Sequence, residues 1–378
     1  MIIIKFIDNV EHKYNSFKII LKLYNYNDII YINCCNINLS RLPKLPNTLK
    51  VLWCYNNKIS RLPNLPNSLI QLHCESNNLS SLPKLPDSLE ELYCWSNNIS
   101  SLPVLPNSLI ELKCSNNNIS RLQNIPDSLS HLNCSYNKIM SLSKLPYSLS
   151  HLDCSNNKII CLPILPNSLT HLDCSNNKII CLPTLPNSLI NLSCNYNKIY
   201  RLLKLPNSLT SLWCGSNNIS NLSELPNSLK ILYCNSNNLS ILLDLPNSLE
   251  MLCCFNNNLS SLPKLPNSLE MLWCYNNKLS ILPDLPDLLR YLNCTNNNLS
   301  ILPELPISLS TLIYNNNPIY IYIKTKFNGD IYKYFKYQEH IKRKVINKIE
   351  NWFLDCKYNP KYLYCRKRLM KEYEELYS

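Results

Sequence analysis

The sequence predicts a β-rich solenoid with one curved parallel sheet and a non-helical convex side. The first observation is a block, Leu-x-x-Leu-x-Cys-x-x-Asn-x-Ile/Leu, that returns every 20 residues without insertion or deletion from Leu49 to Leu299. The second is a short alternating apolar segment inside each block, and the third is a pair of prolines in the segment that follows it. Units of fixed period stack on their neighbours and expose a long surface, so function is expected there rather than in a pocket.

Residues 1–28 precede the repeats and are expected to cap them. Their first ten residues are apolar but carry charge and lack a small-residue cleavage site, so they make a poor signal peptide. A strand covering the first repeat is predicted from four alternating apolar residues, Phe17, Ile19, Leu21 and Leu23.

The centre of each repeat predicts a short strand with one buried face. In the first full unit Leu52 and Cys54 point to one side, while Val51, Trp53 and Tyr55 point to the other. Stacking the units then forms inner ladders of leucine and of cysteine.

The cysteines indicate a reducing compartment rather than a disulfide framework. Fourteen of the 20 cysteines, Cys34 and every twentieth residue from Cys54 to Cys294, occupy one repeat position with apolar neighbours. We interpret them as small buried hydrophobic residues of an intracellular protein.

The segment after the strand predicts a polar turn and then an extended return. Asn57 can satisfy backbone groups that the turn leaves unpaired, because its amide both donates and accepts hydrogen bonds. Pro63 and Pro66 exclude an α-helix over this segment, so Leu62 and Leu65 are expected to point inward from an extended or polyproline-like chain.

Residues 321–378 predict a small basic cap of two helices, which Asn359 and Pro360 separate. One apolar face would be formed by Ile341, Val345, Ile349 and Trp352 or Phe353, and the other by Tyr362, Cys365, Leu369, Tyr373 and Leu376. Such a helical pair would cover the open apolar end of the solenoid.

The outward strand positions vary between repeats, so partner specificity is expected there. Aromatic residues gather on both ends of this face, which resembles the composition of interface hot spots. The alternative is that cross-strand stacking of the rings only stabilises the sheet. The early group is Trp53, Tyr55, Tyr93 and Trp95, and the late group is Trp213, Tyr233, Phe255, Trp273, Tyr275 and Tyr291.

Between the two aromatic groups lies a histidine ladder, formed by His131, His151 and His171. Asp153 and Asp173 follow the last two of these histidines by two residues. Histidines about 4.8 Å apart could share a metal or give pH-dependent binding, but the spacing is a product of the repeat, and no metal or other cofactor is predicted.

Exposed cysteines could support nucleophilic catalysis only beside a base. Cys161 and Cys181 lie outside the ladder, on a different side of the coil from the histidines, and Cys253 is expected on the exposed face. No enzymatic activity is therefore predicted.

Positive charge concentrates in the last 55 residues, where 14 Lys and Arg stand against 7 Asp and Glu, so +7 of the net +12 lies there. Such a tail could bind nucleic acid, an acidic protein or a membrane surface, or it could be a solvated face of the cap. The densest runs are Lys342, Arg343 and Lys344, and Arg366, Lys367 and Arg368.

These residues resemble a leucine-rich repeat protein over residues 29–319, about 15 units. The 20-residue form with Leu-Pro-x-Leu-Pro is similar to the repeats of bacterial effector proteins and of large DNA viruses of amoebae, and the segment from Trp352 onward resembles tails of giant-virus proteins. The first unit departs from the pattern at Ile37, where asparagine is expected. The resemblance implies a horseshoe whose concave sheet recognises a protein and which has no catalytic residues. The roughly 60 residues after the repeats are too few for the ubiquitin-ligase domain that some such effectors carry.

We therefore predict a leucine-rich-repeat solenoid over residues 29–320, between an N-terminal cap at 1–28 and a helical cap at 321–378. Its predicted function is non-catalytic binding of a protein partner through the concave face, inside a cell and without a membrane. The alternative is an adaptor that binds nucleic acid or an acidic partner through the basic tail.

Overall fold

The computed structural model describes residues 1–359 and 361–377, with side chains up to residue 371. Each repeat contributes one strand to a single sheet, and consecutive strands pair in parallel with no register shift, so that Leu52 lies opposite Leu72. The strands of the repeats are β3 (Ile29–Asn33), β4 (Val51–Trp53), β5 (Gln71–His73), β6 (Glu91–Tyr93), β7 (Glu111–Lys113), β8 (His131–Asn133), β9 (His151–Asp153), β10 (His171–Asp173), β11 (Asn191–Ser193), β12 (Ser211–Trp213), β13 (Ile231–Tyr233), β14 (Met251–Cys253), β15 (Met271–Trp273), β16 (Tyr291–Asn293) and β17 (Thr311–Ile313).

The N-terminal cap corrects one prediction. The strand that covers the first repeat is β1 (Ile2–Phe6), which pairs antiparallel with both β2 (Glu11–Tyr14) and β3. The segment expected to be that strand instead begins with a helical turn, α1 (Phe17–Ile20), because the Ser16 hydroxyl accepts a hydrogen bond from the Lys18 N–H and caps it. Ile20 is buried there while its neighbours are exposed, so the alternation of apolar residues is not a strand pattern. A 3-10 turn, Tyr26–Asp28, leads into β3.

The interior is built from ladders of identical residues. The inner leucines and cysteines are buried, as predicted, except Leu312 in the last strand, which is partly buried; Leu172 and Cys174 are buried examples. The whole series of core leucines forms one continuous hydrophobic core along the solenoid. Burial raises the pKa of the ladder thiols well above the usual range of a cysteine, so these thiols are uncharged and pack as apolar side chains.

Asparagine and serine side chains join each repeat to the preceding one. The Asn77 amide oxygen accepts from the Ile59 N–H at 2.9 Å, and its nitrogen donates to the carbonyl oxygens of Cys54 and Cys74. The Ser68 hydroxyl donates to the Leu49 carbonyl at 2.8 Å, and the serines at this repeat position form a second ladder. Both residues therefore have structural roles.

The residue before each such asparagine adopts a left-handed conformation, with φ between 50° and 54° from Asn56 to Asn316. Asparagine tolerates this conformation, but tyrosine occupies it at Tyr136 and Tyr196. The return segments that follow are extended and contain no helix in any repeat, as the prolines predicted.

Three helices follow the last repeat, rather than two: α2 (Pro318–Lys326), α3 (Ile331–Tyr358) and α4 (Leu363–Tyr377). The solenoid end is covered by α2 and the first turn of α3, through the buried Ile319, Ile323 and Tyr334. The helix α2 was missed because Pro318 ends the repeat pattern and also occupies the first helical position, where proline is tolerated.

The predicted apolar faces of the last two helices do not form the lid. On α3, Ile341, Val345, Ile349, Trp352 and Phe353 are each 37–60% exposed. On α4, Cys365 is buried but Leu369 is exposed, and Tyr362, directly before α4, is also exposed. The side chains of Tyr373 and Leu376 lie outside the described residues. Within the described residues, no helix is both long enough and apolar enough to cross a membrane.

Candidate functional site

The concave face carries its side chains in columns, because every repeat has the same register. We define the first column as the position of Val51, the second as that of Trp53 and the third as that of Tyr55, each repeated every 20 residues. Side chains one repeat apart in a column are therefore cross-strand neighbours.

The early part of the second column is a continuous stack of rings. His73 lies between Trp53 and Tyr93, with ring centroids 5.4 and 4.2 Å away and nearly parallel planes. The Lys113 ammonium closes the stack 4.2 Å from the centre of the Tyr93 ring. Trp53 and Tyr93 were predicted from the sequence as site residues; His73 was not, although its place in the same column identifies it.

Glu75 is a second residue that the sequence analysis missed. It lies in the third column between Tyr55 and Trp95, is only 7% exposed, and its Oε2 atom has no hydrogen-bond partner. Burial raises the pKa of its carboxyl group, although its own backbone N–H and then the Lys113 charge oppose the shift. The indole N–H of Trp53 is also buried without a partner. A buried polar atom without a partner is costly, so this region gains from a molecule that supplies one.

The three predicted histidines stack face to face in the first column. Ring centroids of His131 and His151 are 4.5 Å apart, and those of His151 and His171 are 4.3 Å apart. Each Nδ1 atom is within hydrogen-bonding distance of the preceding hydroxyl, 2.9 Å at Ser150. Burial, followed by the two neighbouring histidines, lowers the pKa of His151. Among the described residues, no three His, Cys, Asp or Glu side chains are arranged to hold a metal ion.

A hollow of about 690 Å³ lies beside the histidines, bounded by Lys113 at one end and Trp213 at the other. Small side chains make its floor, including Asp153 and Asp173, which accept hydrogen bonds from the N–H groups of their second following residues. Burial is the main cause of the raised pKa of Asp173. The hollow separates the two aromatic groups, so the concave face has three chemically distinct regions.

The late aromatic residues form three ring pairs. Trp213 stacks on Tyr233 at 4.4 Å and Phe255 stacks on Tyr275 at 4.3 Å, while Trp273 and Tyr291 are tilted at 5.0 Å. Trp213 is 39% exposed even though it is stacked. The first column beside these rings carries Ile231, Met251 and Met271, which makes this region apolar.

The prediction that Cys253 is exposed is wrong. The larger rings of Tyr233 and Trp273 cover it from both sides and leave it 2% exposed. Burial raises the pKa of its thiol to about 12, so it is not a nucleophile at neutral pH. Cys161 and Cys181 are exposed, but they lie outside the strands that carry the histidine ladder.

The two basic runs of the tail lie on different helices. On α3, the Lys342 ammonium is 2.8 Å from a Glu304 oxygen and the Arg343 guanidinium is 2.6 Å from Glu339, while Lys344 is exposed. On α4, Arg366 and Lys367 are exposed and Arg368 lies over the ring of Tyr358. Part of this charge is therefore already used in contacts within the chain.

Short parallel strands, extended return segments and an asparagine ladder at every turn define the class of leucine-rich-repeat solenoids. No protein-family model matches the chain, and no curated protein does. Among solved structures, it is similar to YopM of Yersinia pestis, a leucine-rich effector protein, with 35% identity, a TM-score of 0.67, and coverage of 76% of this chain and 88% of that one. YopM of Yersinia enterocolitica WA-314 gives 33% identity, a TM-score of 0.58, and coverage of 76% and 78%. The chain belongs to the leucine-rich repeat proteins.

The functional domain of InlJ from Listeria monocytogenes, which includes a cysteine ladder, is also similar. It has 26% identity and a TM-score of 0.63, with coverage of 72% of this chain and 64% of that one. The buried cysteines of the present chain form a ladder of the same kind along its core.

Proposed function

We propose that this protein is a non-catalytic scaffold that binds a protein partner through the concave face of its sheet. The late aromatic patch, defined as Trp213, Tyr233, Phe255, Trp273, Tyr275 and Tyr291, is the principal contact region. The observation that carries this proposal is that Trp213 remains 39% exposed at the edge of a ring stack. The other five rings are partly exposed, and large rings that stay accessible together on a concave surface are typical of recognition sites.

The stacked geometry favours tight binding. A ring held at 4.4 Å by its neighbour, as Trp213 is by Tyr233, loses little side-chain freedom when a partner covers it. The early region can contribute polar specificity, because a partner could donate a hydrogen bond to Glu75 and accept one from Trp53. The similarity to effector proteins of Yersinia supports a role in interaction rather than in catalysis.

The alternative role of the rings is to stabilise the sheet, and it makes a different prediction. Cross-strand pairs contribute ~0.2–1 kcal/mol each to stability, whereas truncation of a binding hot spot costs ~2 kcal/mol or more of affinity. Trp273→Ala should therefore weaken partner binding by at least about thirtyfold while changing the stability only slightly.

The experiment uses the full chain as bait in a cell lysate and then measures the affinity of the captured protein. Truncation near Tyr320 is unsuitable, because α2 covers the solenoid core with Ile323. Trp273→Ala is instead compared with a triple charge reversal at Arg366, Lys367 and Arg368, across ionic strength. Tyr147→Ala is the matched control, since this tyrosine is exposed in the turn that follows a return segment.

The tail adaptor is the second candidate, favoured by the exposed Arg366 and Lys367 on α4. It predicts that the triple reversal abolishes binding and that salt weakens binding steeply. If Trp273→Ala leaves the affinity unchanged while the reversal abolishes it, the concave-face proposal is wrong.

A further inference from the structure

The long helix α3 leaves the solenoid after its first turns. Tyr334 is buried against the end of the repeats, but every residue from 339 to 355 is exposed. At about 1.5 Å per residue, this free segment is ~25 Å long. Among the side chains that the structure describes, none packs against this helix over most of its length.

The free segment of α3 is amphipathic. Ile341, Val345 and Ile349 follow one another at four-residue spacing, and Trp352 lies on the same face with Phe353 beside it. In proteins most helical stability comes from tertiary packing of an amphipathic face rather than from helix propensity. The exposed apolar stripe therefore requires a surface that covers it.

Charge decides which surface fits. Helix α3 has seven basic residues against three acidic ones, so two copies packed along their stripes would repel each other, whereas an anionic surface would attract the helix. The basic residues are Lys333, Lys336, Lys342, Arg343, Lys344, Lys348 and Lys357, and the acidic residues are Glu339, Glu350 and Asp355.

The apolar stripe distinguishes between anionic surfaces. Nucleic acid would contact Lys344 and Lys348 through its phosphates but would leave Ile349 and Trp352 in water. The interface of an anionic bilayer accepts both: aromatic and aliphatic side chains enter the boundary between headgroups and acyl chains, while lysines extend to the headgroups.

We propose that residues 339–355 of α3 lie lengthwise on an anionic phospholipid surface and hold the solenoid there. This differs from the expectation of no membrane association. The stripe itself was expected to cover the end of the solenoid. The structure gives that role to α2 instead. The site is an interfacial helix that rests on the bilayer and does not cross it, consistent with its charged face.

The test is co-sedimentation of the full chain with vesicles of phosphatidylcholine alone or mixed with phosphatidylserine. We expect binding to the mixed vesicles and little to phosphatidylcholine alone. Ile349→Asp, and the pair Lys344→Glu with Lys348→Glu, should each weaken the binding by about tenfold or more. The matched controls are Ile164→Asp, at an 89% exposed isoleucine of a return segment, and Lys178→Glu, both of which should bind normally.

Three results would overturn the proposal. The first is absence of binding to the mixed vesicles. The second is binding that Ile349→Asp does not weaken, and that duplex DNA competes away, which would indicate a general polyanion site. The third is self-association in sedimentation equilibrium that Ile349→Asp abolishes, which would identify a second copy as the occupant. All substituted positions are exposed, so far-ultraviolet circular dichroism should show unchanged folding.

Discussion

Replacing Asn217 by alanine tests whether the asparagine ladder joins the repeats. Its amide oxygen accepts from the Ile199 N–H at 3.0 Å, and its nitrogen donates to the carbonyl oxygens of Cys194 and Cys214 at 3.0 and 3.1 Å. The side chain is 7% exposed, so water cannot replace these bonds. The two carbonyl oxygens keep a second donor each, from Asn197 and Asn237, so the Ile199 N–H is the group that loses its side-chain partner.

The magnitude follows from the groups left without partners. A buried N–H at Ile199 without an acceptor costs ~1–3 kcal/mol, and the lost bonds to the two carbonyl oxygens add ~0.5–1.5 kcal/mol each. The total of about 2–6 kcal/mol is a large part of the ~5–15 kcal/mol that stabilises a typical domain. Asn217→Ala should therefore destabilise the solenoid strongly.

The assay is chemical unfolding of the full chain, with amide hydrogen exchange at Ile199 as a local readout. Asn207→Ala is the matched control in the neighbouring turn, because this asparagine is exposed and only its backbone carbonyl accepts a bond, from Ser228. The control should change the free energy of unfolding by less than ~0.5 kcal/mol. A loss below ~1 kcal/mol for Asn217→Ala, with unchanged exchange at Ile199, would refute the reasoning.

Three further predictions concern single side chains. Cys174→Asp should destabilise the fold severely because it buries a charge, whereas the same change at the exposed Cys161 should be mild, as measured by urea unfolding. Glu75→Gln should raise the melting temperature at pH 7 more than at pH 4. The raised pKa of Glu75 means that the folded state holds the proton more tightly than the unfolded state, so this group's contribution to stability falls as pH rises above its unfolded pKa. Tyr136→Asn should stabilise the protein by up to ~1 kcal/mol, because its left-handed backbone disfavours tyrosine.

Each of these predictions has an outcome that contradicts it. Rapid labelling of Cys174 in the folded protein would show that the ladder thiol is accessible. A Glu75→Gln variant with the same pH dependence of melting as the parent chain would mean that this carboxyl group is not perturbed by folding. Tyr200→Asn serves as the control for Tyr136→Asn because Tyr200 has no positive φ, and equal stabilisation by both would remove the conformational explanation.

The repeats could be predicted from the sequence because their physics is local and repeated. Each strand has Leu and Cys at fixed positions, and each return segment has a proline such as Pro66 that excludes a helix. The pairing register then follows, because the fixed period leaves one way to align the inner ladders. The direction of the outward side chains at Trp213 and Trp273 followed for the same reason.

The ends and the detailed site could not be predicted in this way. The antiparallel strand β1 is stabilised by pairing with β3, a contact that no single segment of sequence reveals. The burial of Cys253 depends on the rings one repeat away on either side, and that of Glu75 depends on two aromatic neighbours in the same way. The stripe on α3 is exposed because α2, which precedes α3 in the chain, already covers the open end of the solenoid.

The hydrogen bonds that join neighbouring repeats also bear on how such a chain can change in length. The side chain of Asn177 bonds only to its own repeat and to the preceding one, and the serine ladder behaves in the same way. Deleting or copying a whole 20-residue unit that carries both residues would therefore recreate the asparagine and serine bonds at the new junction. Genetic gain or loss of units can then lengthen or shorten the concave face in steps of ~4.8 Å, without a compensating mutation elsewhere.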